Sequence, residues 1–307
     1  MKTAVFNFSK PSLTGTIASN RIAHFLANTL HVPLLWDKDV ADTKWDILFL
    51  INGSFQFCKV LPEISQAIEK AGRIVWVQND YNIIPPKPIS NAESAFRKAF
   101  VNRTMRKQHP MIFWSTVRAN ADEYINWNSL TYNPVRPAEL TALRKNAKRD
   151  LFYYGAFRAN RLALFDRYFK DCPVDLTISS SSKEFERYGV SVQPTIIRNH
   201  FYEELASHGL GLYIEDKKSS IEFHSPANRF YEMLSAGLPM VFQPEAVQMM
   251  EVAGYDIREY VVREPSQLKA MMRNREAIAA SQRAAWHTHY PSKLKNAVNA
   301  AYRRLTK

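Results

Sequence analysis

Short apolar runs of strand character alternate with amphipathic helical stretches along most of the chain, in two successive series. The first reads as a buried strand KTAVFNF (2–8), a loop SKPSLTG (9–15) and a helix over 16–30 marked by Ile17, Ile22, Phe25, Leu26 and Leu30. It continues with strand WDILFLI (45–51), helix LPEISQAIEKAG (61–72) closed by Gly72, and strand RIVWVQ (73–78). The second series runs through strand DLFYYG (150–155), helix RLALFDRYFK (161–170), strand VDLTIS (174–179), helix FYEELASH (201–208) and strand GLGLYI (209–214). Helix PANRFYEMLSAG (226–237), strand LPMVFQ (238–243), helix PEAVQMMEVAG (244–254) and strand REYVV (258–262) follow, and helices fill the rest. Strands joined by helices of this length must lie parallel, with helices on both faces of the sheet. The expectation is an α/β chain of two doubly wound, Rossmann-like domains.

A chain of 307 residues is about twice the ~150-residue domain norm, which agrees with two domains. Segment YNIIPPKPIS (81–90) carries three prolines and is expected to be an extended loop. Residues 131–149 are polar, contain Pro134 and Pro137, and lead into a charged run. The domain border is therefore expected at 148/149. That gives domains over 1–148 and 149–285, and a C-terminal helix over 286–307 that packs back on the first.

Several classes fall away. Cys58 and Cys172 are the only cysteines, so neither a disulfide framework nor a thiolate zinc site is available. No stretch approaches the ~18 consecutive apolar residues of a membrane span. The apolar run at the start is too short and broken for a signal peptide, and a cytoplasmic location is expected. His287 and His289 form a lone pair without a third ligand, and the expected histidine role there is an exposed helical one.

The net charge is +12, and it is unevenly placed. Residues 97–149 carry eleven basic and three acidic side chains, a net +8, interleaved with aromatic residues such as Phe113, Trp114 and Trp127. Within SAFRKAFVNRTMRK (94–107), Arg97, Lys98, Arg103, Arg106 and Lys107 form a cationic face opposite Phe96, Phe100 and Val101, and Arg118 follows. Such a stretch can grip phosphates and stack on bases, which points to a polyanionic partner. The alternatives are a solvated helical face or a helix resting on anionic lipid, whose thin apolar side argues against stable insertion.

The most informative window is HSPANRFYEMLSAGLPMVF (224–242). Ser225 followed by Pro226 reads as a helix start at the carboxyl end of a parallel sheet, a place that collects anions. Asn228, Arg229 and Glu232 then fall about one turn apart. The pattern Ser-Pro-x-x-Arg-x-x-Glu-x-x-x-x-Gly-x-Pro resembles the donor-nucleotide motif of GT-B glycosyltransferases. The resemblance implies two Rossmann-like domains facing a cleft, with Glu232 on the ribose of a nucleotide sugar, Ser225, Pro226 and Asn228 near the phosphates, and His224 and Arg229 in the same donor site. His224 stands where many retaining members carry a second Glu, so the stereochemical outcome stays open. Upstream, YYGAFRANR (153–161) places a Gly turn and two arginines, Arg158 and Arg161, where GT-B enzymes hold the donor diphosphate, a task that guanidinium geometry suits.

An inverting transfer needs a carboxylate to take the proton of the acceptor hydroxyl. Asp80 follows strand RIVWVQ at the end where such sheets place their chemistry, and is the candidate ahead of Asp37 and Asp39. In size, charge and layout the chain is similar to small basic GT-B enzymes of bacteriophages that glycosylate hydroxymethylated DNA bases. The resemblance implies a UDP-sugar donor, UDP-glucose first, double-stranded DNA as the partner that carries the acceptor base, and no tightly bound metal. Two alternatives remain: transfer to a cell-envelope saccharide or lipid, and a non-catalytic nucleic-acid-binding protein on an α/β scaffold.

Overall fold

The computed structural model describes residues 1–7, 18–36, 40, 42–51, 61–78, 111–116, 121–194, 200–216, 226–286 and 292–307, and they pack as two units, Met1–Leu130 with Pro291–Lys307, and Thr131–Tyr290. The first unit holds β1 (Thr3–Asn7), β2 (Leu34–Leu35), β3 (Ile47–Ile51), β4 (Arg73–Gln78), β5 (Met111–Ser115) and β6 (Glu123–Tyr124). They form one sheet in the order β2-β1-β3-β4-β5-β6, parallel throughout. Helices α1 (Ala18–Leu30) and α2 (Leu61–Lys70) connect them.

The pleat sorts the strand residues by parity. Phe6, Leu48, Leu50, Ile74 and Trp76 pack with Ala67 and Ile68 of α2. Val5, Ile47, Phe49, Val75 and Val77 pack with Ile22, Ala23 and Leu26 of α1 on the other face. Both faces being covered, the central strands read as unbroken apolar runs. Each such buried Leu, Ile or Phe contributes roughly 1.5–3 kcal/mol over its exposed state.

The C-terminal helix Ser292–Thr306 completes the second of these faces. Leu294, Val298, Ala301 and Leu305 repeat at helical spacing and join the Val5–Phe49 cluster. Arg304 donates to both oxygens of Glu123, at 2.6 and 2.7 Å, and the Arg73 guanidinium donates to the Leu305 carbonyl.

The second unit holds β7 (Asp150–Tyr154), β8 (Asp175–Ser179), β9 (Ser191–Gln193), β10 (Leu210–Tyr213) and β11 (Met240–Phe242). Their order is β11-β10-β7-β8-β9, again parallel. The chain builds outward from β7 in one direction through β8 and β9, then returns to lay β10 and β11 on the other side. The switch point between β7 and β10 is where such sheets open a crevice at their carboxyl ends. Around the sheet lie α3 (Pro137–Arg144), α4 (Leu162–Phe169), α5 (Phe201–Ala206), α6 (Asn228–Ser235), α7 (Val247–Val252), α8 (Leu268–Arg273) and α9 (Arg275–Trp286). A Cβ on Gly211 of β10 would stand 2.6 Å from Met233 Sδ and 3.0 Å from Leu238, so these side chains of and after α6 pack directly over the strand backbone there.

The polar stretch 131–149 is not a bare connection. Pro137 occupies the first turn of α3, Leu140 is buried in the core of the second unit, and Arg144 donates to the His208 carbonyl. The Val135 N–H bonds the Ser235 carbonyl at 3.0 Å. The contacts accordingly divide at 130/131, where the sequence reading places the border at 148/149. The run REYVV forms a 3-10 turn, Arg258–Tyr260, with one bridge between Val261 and Phe242 rather than a strand. Its charged residues Arg258 and Glu259 are exposed, which leaves too few apolar side chains for the sheet.

Candidate functional site

Three segments converge at the carboxyl ends of β7 and β10. After β7 the chain turns at Gly155, with φ of +136°, into the 3-10 turn Ala159–Arg161. After β10 come Ile214, Glu215 and Asp216, all buried. The third segment is the start of α6.

Buried charges meet there. Arg161, 3% exposed, donates to Glu215 Oε2 and, at 3.3 and 3.4 Å, to Asp216 Oδ2. Arg229 of α6 donates to the other Glu215 oxygen, Oε1, at 2.7 Å. One carboxylate thus bridges two guanidinium groups, one oxygen to each. Arg229 Nη1 also donates to the Tyr153 hydroxyl at 3.2 Å, and its guanidinium lies over the Tyr153 and Tyr213 rings at 5.7 and 5.8 Å. Burial opposes its charge, yet Glu215 and the two phenols hold its pKa well above the ordinary arginine value. Gln243, just past β11, clamps the Glu215 backbone: it donates to the carbonyl at 2.6 Å and accepts from the N–H at 3.1 Å. A Cβ on Gly155 would meet Arg229 Nη1 and the Tyr153 hydroxyl in ordinary contact at 3.4 Å, but on a backbone that disfavours L side chains.

Glu232 stands one helical turn beyond Arg229. The Tyr154 hydroxyl donates to its Oε2 at 2.7 Å and also reaches the Arg229 carbonyl at 3.3 Å. Burial, then the Glu232 carboxylate, push the Tyr154 pKa well above its ordinary value, so the phenol stays a donor. Phe201 meets the Tyr154 ring edge-on at 5.9 Å and fixes its plane.

Of the residues singled out from sequence, Arg161, Arg229 and Glu232 fall in this one cluster. Asn228 begins α6, and its Oδ1 accepts from the Thr131 hydroxyl at 3.0 Å. Pro226 is buried and lies ahead of the helix rather than in its first turn, because Ala227 takes the N-cap place and donates its N–H to the Tyr213 hydroxyl at 2.8 Å. Arg158 is exposed at the head of the 3-10 turn and makes no ion pair among the described residues. Asp80, His224, Ser225, Arg97, Lys98, Arg103, Arg106, Lys107 and Arg118 lie outside the described residues. Sequence reasoning passed over Tyr153, Tyr154, Glu215, Asp216 and Gln243. The signal for the acids was there: Glu-Asp directly after the apolar run of β10 has no place in a buried strand end without a cationic partner. Among the described residues no three His, Cys, Asp or Glu side chains are grouped to hold a metal ion.

No protein-family model matches the chain, and no curated protein matches its sequence. Solved structures do. T4 phage beta-glucosyltransferase in complex with UDP and Mn2+ is similar at a TM-score of 0.60 and 16% identity, over 99% of each chain. A structure described as the DNA-modifying enzyme beta-glucosyltransferase, with and without uridine diphosphoglucose, matches at 0.60 and 14% identity, over 98% of this chain and 95% of that one. An alpha-glucosyltransferase in complex with UDP and a 13-mer DNA containing an HMU base matches at 0.54 and 11% identity, over 99% of each. With two parallel-sheet units of this topology and likeness along nearly its full length to these enzymes, the chain has the GT-B fold.

Proposed function

We propose that the protein is a glycosyltransferase that moves a hexose from a UDP-sugar to the hydroxyl of a hydroxymethylated base in phage DNA. The observation that carries this reading is the Arg229–Glu232 pair at the switch point of the second sheet, with Glu232 fixed by Tyr154 and Arg229 by Glu215. A carboxylate is an acceptor on both oxygens, which suits it to the ribose hydroxyls of a nucleotide. Arg158 supplies an exposed cation for the diphosphate. Arg161 and Arg229, buried with Glu215, are assigned to the positively charged floor behind the diphosphate. Likeness to structures that hold UDP-glucose in one case, and UDP with DNA in another, supports the same donor and acceptor classes here.

In the transfer, the acceptor oxygen attacks the anomeric carbon, the carbon–oxygen bond to the diphosphate breaks, and UDP departs. Asp80 is assigned the proton of the acceptor hydroxyl, and the cationic face of Arg97, Lys98, Arg103, Arg106, Lys107 and Arg118 is assigned the duplex. Among the described residues no helix is long and apolar enough to cross a membrane. The reading places the enzyme in the cytoplasm of an infected host.

The test is incubation with a panel of UDP-sugars and duplexes containing hydroxymethylcytosine or hydroxymethyluracil, then digestion to nucleosides and mass spectrometry. A hexose-sized mass gain on one modified nucleoside is the expected result. Absence of a thermal shift with every nucleotide sugar rejects the enzyme reading and leaves a non-catalytic binding protein. A shift with no DNA product under any pairing moves the acceptor to a saccharide or lipid.

A further inference from the structure

Between α3 and α9 lies a cavity of about 460 Å³ with Leu140 in its floor and Arg144, Lys145, Arg275, Glu276 and Arg283 around it. The one acid is already engaged: Glu276 accepts from Arg144 at 2.8 and 3.3 Å, and Arg144 turns a further N–H to the His208 carbonyl. That pair is neutral. Lys145 is exposed, and neither it nor Arg283 makes an ion pair among the described residues. Arg275 shares the same acid, its Nε 3.5 Å from Glu276 Oε1, and donates from Nη1 to the Met272 carbonyl at 3.2 Å. The cavity lining therefore sets four cations, Arg144, Lys145, Arg275 and Arg283, against the single acid Glu276, an imbalance that an anionic ligand relieves.

The charge of the second unit is polarised toward this place. Residues 131–290 carry a net +2. Residues 136–149, which contain α3 and the turn after it, carry a net +4, and residues 268–286, which contain α8 and α9, carry a net +3. The remainder of the unit is thus net −5. The two basic segments are far apart in sequence, and the fold sets them on opposite sides of one groove. The groove lies by the amino ends of β7 and β10, since α3 leads into β7 and Arg144 bonds the residue two before β10. It stands at the other end of the sheet from the Arg229–Glu232 cluster and has no part in holding the donor.

We propose that the α3–α9 groove is a contact for the phosphate backbone of duplex DNA, met by Lys145, Arg275 and Arg283. An array of arginine and lysine without base-reading amides or stacking aromatics around it suits the sugar-phosphate chain rather than base edges. The inference rests on DNA being the acceptor, and adds a second patch to the cationic stretch assigned to the first unit. It makes binding through the groove independent of sequence and of base modification.

The experiment titrates an unmodified 20-base-pair duplex by fluorescence anisotropy from 50 to 200 mM salt, with the full chain, its Lys145→Ala/Arg283→Ala variant and its Arg275→Gln variant. Each lost phosphate contact flattens the slope of log K against log salt by ~0.9, so the double variant is expected to lose ~1.8 and Arg275→Gln ~0.9. The thermal shift with UDP is expected to be the same in all three, because the donor cluster is untouched. Lys145→Glu, an exposed change, repeats the slope measurement should the double variant unfold. Unchanged slopes in variants of a protein that does bind duplex overturn the groove contact and leave the acceptor reading intact. A wild-type chain with no duplex affinity overturns both. Loss of binding to anionic phosphatidylserine vesicles with duplex binding retained assigns the groove to lipid and overturns the proposal.

Discussion

The hydroxyl of Tyr154 holds Oε2 of Glu232 at 2.7 Å, joining the last residue of β7 to the middle of α6 across the switch point of the second sheet. A strand end is rigid, and the tyrosine is wedged by Phe201 and Phe152, so the carboxylate inherits that rigidity. A glutamate in a first or second helical turn ordinarily samples several rotamers, and fixing it ahead of ligand arrival removes an ordering cost from binding.

Tyr154→Phe keeps the ring and its packing and removes only the donor. Ordering one rotamer-rich side chain on binding costs about 0.5–1.5 kcal/mol, so affinity for UDP should fall roughly 2–10-fold. The sharper readout is discrimination: the preference for UDP over 2′-deoxy-UDP, measured by calorimetry, should shrink in this variant and vanish in Glu232→Ala. If Tyr154→Phe weakens both nucleotides equally, the tyrosine supports the fold and not the ribose contact.

Arg161 is expected to matter for stability as much as for ligand. Its guanidinium is almost fully buried between Glu215 and Asp216, and removing one partner of such a set leaves a buried charge uncompensated. Arg161→Ala should cost about 3–5 kcal/mol in urea unfolding. Adding Asp216→Ala should recover part of that loss, because the second change removes one of the two acids that Arg161 pairs. Strict additivity of the two changes would reject the coupling.

How far the sequence showed this site depends on what kind of signal each residue carries. The parallel sheets were legible because both faces of each are covered, which leaves unbroken apolar strands such as ILFLI and a helical stripe through Ile22 and Leu26. Arg229 and Glu232 were legible because one helix carries both at fixed spacing. Their partners were not: Tyr153 and Tyr154 look like ordinary strand aromatics, and Gln243 like a strand end, until the parallel order β11-β10-β7 brings three distant segments together. The helix start was displaced for a similar reason. Ser225-Pro226 has the local pattern of a cap, but the Tyr213 hydroxyl takes the Ala227 N–H and helical geometry begins at Asn228. Short strands β6 and β9 carry too few residues for a period-two pattern to register.

A pH dependence follows from the far end of β7. Asp150 Oδ2 lies 2.7 Å from His208 Nδ1, and its Oδ1 accepts from the Gly209 N–H at 2.9 Å. Burial works against the carboxylate, but the bonds from His208, Thr177 and Gly209 outweigh it and hold its pKa below the ordinary 3.8. A depressed folded-state pKa contributes stability that is fully present above the unfolded value and is lost as pH falls through the folded one. Asp150→Asn should therefore be less stable than wild type at pH 7, and the gap between them should close as pH is lowered below 4. A gap of constant size from pH 7 to pH 3 would show that the aspartate acts by shape alone.

Asp80→Asn separates binding from chemistry. The residue follows β4, whose carboxyl end in the first unit corresponds in polarity to the end of the second sheet that carries the Arg229–Glu232 cluster. A general base is needed only when the acceptor hydroxyl loses its proton, so the donor should bind the variant as it binds wild type, with the same thermal shift by UDP-glucose. Transfer should fall by about 100-fold or more, the usual contribution of a positioned base. Turnover at the wild-type rate removes Asp80 as the base, and loss of donor binding in the variant assigns it to the nucleotide instead.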